Sequence, residues 1–293
     1  KLVKTNEKLL EVNTELNKLK KELEEQNVYL REEIDLVFNY EEMVYGSAVF
    51  SNVLTDVELD AATNATVLLL GESGTGKELL ARAIHNTSPR KNKPLIKVNC
   101  AAIPKELIES ELFGHKKGSF TGAINDKIGK FKLADGGTLF LDEIGELPID
   151  IQESEIEQIG STETQKVDIR IIAATNRNLK VEVEEKRFRS DLFFRLNVFP
   201  IVVPPLRDRV EDIPILIEHF VDKFSKAYNK DIKFMSEETK RNMQEYSWPG
   251  NIRELENLIE RAVILSQDKT LVLPNFETGS EEKLISSTVL TLD

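Results

Sequence analysis

The chain has 293 residues, of which 40% are hydrophobic and 31% charged, and 39 Lys+Arg against 51 Asp+Glu leave a net charge of −12. That balance removes the sequence-independent attraction to nucleic acid, which rests on Lys and Arg meeting phosphates, and a single cysteine, Cys100, excludes an internal disulfide framework and points to a reducing compartment. No apolar run approaches the eighteen or so residues of a membrane span, the three histidines are too scattered to suggest a metal site, and no signal-peptide pattern follows Lys1, so a cytoplasmic protein is expected.

Leu2, Leu9, Leu16, Leu23, Leu30 and Val37 recur every seven residues between Lys, Glu and Asn. This is the pattern of a coiled coil. With these residues at d, the a positions are Asn6, Asn13, Lys20, Asn27 and Ile34, polar choices that cost stability and favour one register, most simply a parallel dimer. The alternative is a solvated amphipathic helix lying on its own domain. A helix over residues 1–38 reaches roughly 55 Å at the usual rise per residue, which favours a dimerising connector.

From residue 39 the texture changes. Ala65–Leu70, Leu95–Asn99, Thr138–Asp142, Ile169–Thr175 and Val198–Val203 are short apolar runs of the kind found in strands covered on both faces, hence a parallel sheet. Glu78–Asn86 suits a crossover helix, so residues 39–206 read as an α/β domain. Beyond Pro204-Pro205, Ile213–Tyr228, Ser236–Glu245 and Asn251–Ser266 read as three helices, a helical subdomain over residues 207–272. Residues 273–293 carry little pattern and suit a linker.

The chemistry begins at Gly71-Glu72-Ser73-Gly74-Thr75-Gly76-Lys77, which follows the first strand and opens a helix. In that context the G-x-x-x-x-G-K spacing is a phosphate loop. Glycines let backbone N–H groups turn inward, the following helix offers its positive N-terminus, and Lys77 is expected to reach the β- and γ-phosphates. Glu78 stands where the general pattern has Ser or Thr. Thr138–Asp142 ends in the pair Asp142-Glu143; at a strand tip beside a phosphate loop, Asp142 suits orienting Mg²⁺ through its waters and Glu143 polarising an attacking water. Between the two lies Gly118-Ser119-Phe120-Thr121-Gly122-Ala123, one aromatic among small residues. Phe120 either contacts a partner from a glycine-hinged loop or tucks into the core.

Six segments together carry a resemblance: Gly71–Glu78, Glu109–Ala123, Gly136–Pro148, Ala173–Arg177, Phe188–Ile201 and Trp248–Asn257. In this order they resemble the central AAA+ ATPase of the sigma-54-dependent transcriptional activators, with a GAFTGA-like loop peculiar to that family; Asn27–Ile34 resembles the formate hydrogenlyase type of activator. The resemblance implies a P-loop core with a parallel sheet, a C-terminal helical lid and an N-terminal coiled-coil helix, using ATP and Mg²⁺. It implies that Gly71, Glu72, Ser73, Gly74, Thr75, Gly76, Lys77 and Glu78 hold the phosphates, that Asp142 holds Mg²⁺ through water, and that Glu143 activates water. It further implies that Asn99 restrains Glu143, that Thr175 and Asn176 form the first sensor and Arg253 the second, and that Arg189 and Arg195 reach into a neighbouring subunit's site. Gly118, Ser119, Phe120, Thr121, Gly122 and Ala123 would contact sigma-54.

The implied activity is ATP hydrolysis in a hexamer-like ring that remodels the sigma-54 RNA polymerase holoenzyme in the bacterial cytoplasm. The competing reading is a nucleotide-responsive dimerising interaction module with impaired hydrolysis. Three departures from the family stand out. Ser119 replaces the usual Ala, and neither a sensor domain nor a helix-turn-helix accompanies the core, so no direct DNA binding is expected. Family members also carry roughly eight further residues after Gln152, where a parallel crossover needs about a dozen or more; either the chain lacks a helix there or residues are missing from the sequence, and the second is the expectation.

Overall fold

The structure, a computed structural model, describes residues 43–120, 123, 125–153, 167–232, 235–266, 269–271 and 273. The coiled-coil helix expected over residues 1–38, residues 154–166 and the linker expected from residue 274 on lie outside the described residues.

Helix α1 (Ala48–Ala61) starts at Ser47, whose Oγ accepts from Phe50 N–H at 3.3 Å, an N-cap of the usual kind. It leads into β1 (Val67–Leu70), the phosphate loop and α2 (Lys77–Thr87). Then follow β2 (Leu95–Asn99), α3 (Lys105–Phe113) and a small antiparallel pair, β3 (Gly114–His115) and β4 (Lys127–Ile128). The short α4 (Lys130–Leu133), β5 (Thr138–Asp142), β6 (Arg170–Thr175), α5 (Leu179–Glu184), α6 (Ser190–Leu196) and β7 (Phe199–Val202) complete the α/β part. The five expected strands all form, within two residues of their expected bounds. Helices α1 and α3 were not expected from the sequence.

The sheet runs β2-β5-β6-β1-β7 with every pair parallel. Period-two alternation sends neighbouring residues to opposite faces, and β1, β2, β5 and β6 each feed two cores, while the edge strand β7 feeds one. Leu68, Leu139, Leu141 and Ala173 pack with Ile108, Leu112 and Leu196 under α3 and α6. Val67, Leu69, Phe140, Ile172 and Ala174 pack with Val57, Leu80 and Ile84 under α1 and α2. This two-sided burial explains the near-continuous Val, Ile and Leu in the runs.

Three lid helices follow: α7 (Asp212–Ala227), α8 (Glu237–Glu245) and α9 (Asn251–Leu265). Pro214 sits in the first turn of α7, where its missing N–H costs no helical bond. Their core closes on Trp248, fully buried, whose Nε1–H donates to Met243 O at 2.7 Å. No helix among the described residues is long and apolar enough to cross a membrane.

Candidate functional site

Parallel strands bring their carboxyl ends to one edge, and ligands of such sheets bind in the crevice beyond it. Gly71 follows β1, Asp142 ends β5 with Glu143 next to it, and Thr175 ends β6 with Asn176 next to it. Gly71 N–H donates to Thr175 O at 3.2 Å, so the phosphate loop leaves the sheet still joined to β6.

Within the loop, Gly74 and Gly76 take φ of 78° and 99°, a region L side chains rarely enter. Gly74 has a second constraint: a Cβ there would lie 2.4 Å from Gly250 O of the lid. Thr75 Oγ1 donates to Glu72 O at 2.8 Å and tightens the turn. Lys77, 6% exposed, points back through the loop, its Nζ donating to Gly71 O at 2.8 Å and Glu72 O at 3.0 Å and lying 3.9 Å from Glu143 Oε1. Burial lowers the Lys77 pKa, and the carboxylates of Glu143 and Asp142 oppose that shift.

Asp142 is the last residue of β5 and pairs in register with Asn99 of β2. Burial raises its carboxyl pKa, with Lys97 and Lys77 pulling the other way and Glu78 adding to the rise. Glu143 adopts φ 52°, ψ 48°, an uncommon conformation for a non-glycine residue. This turns its Oε2 toward Asn176 N–H at 3.3 Å and its Oε1 toward Lys77. Thr175, fully buried, accepts from Arg177 N–H at 3.1 Å through Oγ1. Asn99 Oδ1 accepts from Ala101 and Ala102 N–H at 3.0 and 3.2 Å, which places its amide in the turn after β2. Glu78 accepts from Lys97 Nζ at 2.5 Å and from Arg82 Nη2 at 3.3 Å.

The lid is seated on the loop itself. Ile252 N–H donates to Gly74 O at 3.0 Å and Arg253 Nη1 to Ser73 Oγ at 3.1 Å. Asn251, buried at φ 53°, donates through Nδ2 to Glu72 Oε2 and Ser73 O while its Oδ1 receives Leu206 N–H at 2.8 Å. Arg207 grips Glu72 with two hydrogen bonds of 2.9 and 2.5 Å. These hydrogen bonds from Arg207 and Asn251 hold the Glu72 carboxyl pKa down to about 2. Arg209, 2% exposed, donates to Thr75 O at 2.7 Å and lies over the Phe50 ring at 4.6 Å. Beside them opens a cavity of about 340 Å³, bounded by Gly74–Gly76, Met43, Val44, Phe50, Leu79 and Ile252. Its mixed apolar wall and glycine edge suit a nucleobase next to its phosphates.

The remaining candidates lie elsewhere. Arg189 is paired with Asp191 at 2.9 Å, and its N–H donates to Gln152 Oε1 at 2.8 Å. Arg195 is exposed on α6 next to Phe194, itself 72% exposed. Gly118 N–H donates to Ala123 O at 2.8 Å and Ser119 Oγ to Lys116 O at 2.6 Å. Phe120 does not enter the core: it is 39% exposed, with its ring edge-on to His115 at 4.9 Å. Thr121 and Gly122 lie outside the described residues, as do residues 154–166, so the short crossover expected from the sequence after Gln152 falls outside them too. Sequence reasoning missed Arg207, Arg209, Asn251 and Lys97. The only available signal was the position of Arg207 and Arg209 just behind Pro204-Pro205, at the passage into the lid.

Among the described residues no three His, Cys, Asp or Glu side chains could jointly hold a metal ion. Asp142, with Glu78 near it, still fits Mg²⁺, which is commonly bound through one or two carboxylates plus substrate phosphates.

The comparisons agree with this geometry. The sigma-54 interaction domain family matches residues 43–202, and the AAA+ ATPase lid domain family matches residues 207–288. The DNA-binding transcriptional activator HyfR of Escherichia coli (strain K12) is 51% identical over 263 residues, 87% of this chain and 39% of its own. The formate hydrogenlyase transcriptional activator FhlA of the same organism is 46% identical over 290 residues, 95% of this chain and 42% of its own. The chain thus spans about two-fifths of the length of these relatives. NtrX from Brucella abortus, solved in complex with ADP and with ATP, is 37% and 38% identical with a TM-score of 0.74, over 84% of this chain and 56% of NtrX. With an AAA+ P-loop sheet, a helical lid on the phosphate loop and a family match across more than half its length, the chain belongs to the sigma-54 interaction domain family of AAA+ ATPases.

Proposed function

We propose that this chain is the ATP-hydrolysing core of a bacterial sigma-54-dependent transcriptional activator, working in the cytoplasm as a ring that remodels the sigma-54 polymerase through residues 118–123. The observation that carries the reading is the convergence of Lys77, Asp142, Glu143 and Asn176 at one edge of the sheet, with Arg253 of the lid on Ser73.

In this reading Lys77 exchanges the Gly71 and Glu72 carbonyls for phosphate oxygens, and the backbone N–H groups of residues 74–77 receive the rest. Glu143, oriented by Asn176 N–H, takes the proton of the attacking water. Asp142 and Glu78 supply carboxylates to a magnesium ion, which when bound neutralises charge on the β- and γ-phosphate oxygens. Arg195 and Arg189 act on the neighbouring subunit; the exposure of Arg195 suits a group that serves a site other than its own. Thr175, Asn176 and Arg253 report phosphate occupancy to the lid and sheet, and Asn99 couples the site to the segment leading to residues 118–123. Phe120, outside the core, suits contact with sigma-54.

The test is ATP turnover against protein concentration. Turnover per subunit should rise with concentration, and Arg195→Ala should abolish it by a factor of about 10³ or more while leaving ATP binding intact. Phe120→Ala should keep the turnover and lose capture of sigma-54. Tight nucleotide binding without turnover in the wild-type chain would instead favour the nucleotide-responsive interaction module.

A further inference from the structure

We propose that Lys97 is a positioning residue that acts as a built-in counter-cation of the nucleotide site, holding the Glu78 carboxylate and competing with the divalent ion for the acidic corner made by Glu78 and Asp142. The inference rests on the reading of Gly71–Glu78 as a phosphate loop.

Lys97 belongs to β2, and its register partner on β5 is Phe140, two residues before Asp142. Register partners on adjacent parallel strands face the same side, as do residues two apart on one strand. Phe140 faces the core under α1 and α2. Lys97, Phe140 and Asp142 therefore all stand on the α2 side of the sheet, and α2 carries Glu78 in its first turn. There Lys97 Nζ donates to Glu78 Oε2 at 2.5 Å, and Arg82 Nη2 takes Oε1 at 3.3 Å. Leu95, Phe140, Ile172 and Ala174 on this face pack as apolar core, while its basic strand residues are each held by a partner from the covering helices, Arg170 by Asp60 and Lys97 by Glu78.

Glu78 occupies the place at which a phosphate loop ordinarily offers a neutral hydroxyl to the metal. Substituting a carboxylate adds a negative charge close to Asp142, and like charges at short range disfavour one another. An ammonium on a flexible four-carbon stem offsets both. A divalent ion arriving with the phosphates is drawn to the same carboxylates and must work against that fixed positive charge. Lys97 thereby sets the Mg²⁺ concentration at which the metal–nucleotide complex forms and keeps the acidic corner compensated outside that complex.

The experiment follows the fluorescence of N-methylanthraniloyl-ADP on the whole chain, first in EDTA and then through a Mg²⁺ titration. Lys97→Met and Lys97→Gln should each move the Mg²⁺ midpoint to about tenfold lower concentration, the size expected for one unit charge against a divalent ion at short range. Lys97→Arg, which keeps the charge, should stay within twofold of wild type. Combining Lys97→Met with Glu78→Gln should return most of the shift. Midpoints unchanged in both neutral variants, or moved to higher Mg²⁺, overturn the inference while ADP binding in EDTA leaves the phosphate-loop reading standing. Absence of ADP binding by the wild-type chain overturns that reading and the inference with it.

Discussion

Lys77 Nζ stands 3.9 Å from Glu143 Oε1, one residue from the phosphate loop and the other from the tip of β5. The ammonium and the carboxylate thus meet at the carboxyl edge of the sheet, beside the phosphate loop. Glu143→Gln keeps the size and the hydrogen bond from Asn176 N–H but cannot take a proton. It should slow hydrolysis by about 10²–10⁴-fold, the range for loss of a general base, with ADP affinity within a few-fold of wild type. Steady-state turnover paired with nucleotide titration reads both. Turnover within a factor of two of wild type would remove Glu143 from the chemistry.

Gly74 joins the loop to the lid by close approach. Its φ of 78° and the 2.4 Å separation of a Cβ from Gly250 O leave no room for a side chain. Gly74→Ala should cost about 1–3 kcal/mol through overpacking alone and loosen the Ile252–Gly74 hydrogen bond, so both melting temperature and nucleotide affinity should fall. A variant with both unchanged would mean that the lid is not seated on the loop in solution.

His85 of α2 is buried, sharing a 2.9 Å hydrogen bond with Thr138 Oγ1, and burial lowers its pKa from 6.5 to about 4. Because the native value lies below the unfolded one, the unfolded chain takes up the proton first. Stability is therefore lost as pH falls from about 6.5 toward about 4, and the loss stops growing below that. Urea unfolding at pH 7.5 and 5.0 should show about 2 kcal/mol more loss in the wild-type chain than in His85→Gln. Equal losses would assign the pH dependence to other groups.

Arg170 and Asp60 form an ion pair with exposures of 0% and 1%, tying the start of β6 to the end of α1. Removing one partner strands the other charge in the core, so Asp60→Ala should destabilise by about 3–5 kcal/mol, whereas replacing the pair by Asp60→Leu with Arg170→Met should cost far less. Chemical denaturation of the three chains decides it. A double variant no better than Asp60→Ala would indicate that shape rather than charge governs the site.

The strands were legible because burial on both faces leaves a local mark: β1 reads VLLL and β5 reads TLFLD, and no tertiary knowledge is needed to see them as covered. The phosphate loop was legible for a related reason, since a backbone that turns its N–H groups inward demands glycines at set spacing. Helix α1 was not: Phe50, Val53, Leu54 and Val57 keep helical spacing, but the exposed apolar Val49 and Leu59 of the same helix blur the stripe. Helix α3 escaped because it has only nine residues and its exposed Leu107 stands beside the buried Ile108, Leu112 and Phe113.

The sequence by itself determined the parallel sheet, the phosphate loop, the carboxylate pair at the tip of β5 and the helical character of the lid. These depend on residue type at short separation, where periodicity and backbone geometry act directly. Only the tertiary structure decided that Glu72 is gripped by Arg207 and Asn251, that Arg209 reaches Thr75 from beneath the lid, and that Lys97 rather than solvent faces Glu78. Those contacts join residues 19 to 179 positions apart. A charged side chain looks the same in sequence whether it ends in water or against a partner, and the choice is made by which faces the folded sheet and lid bring together.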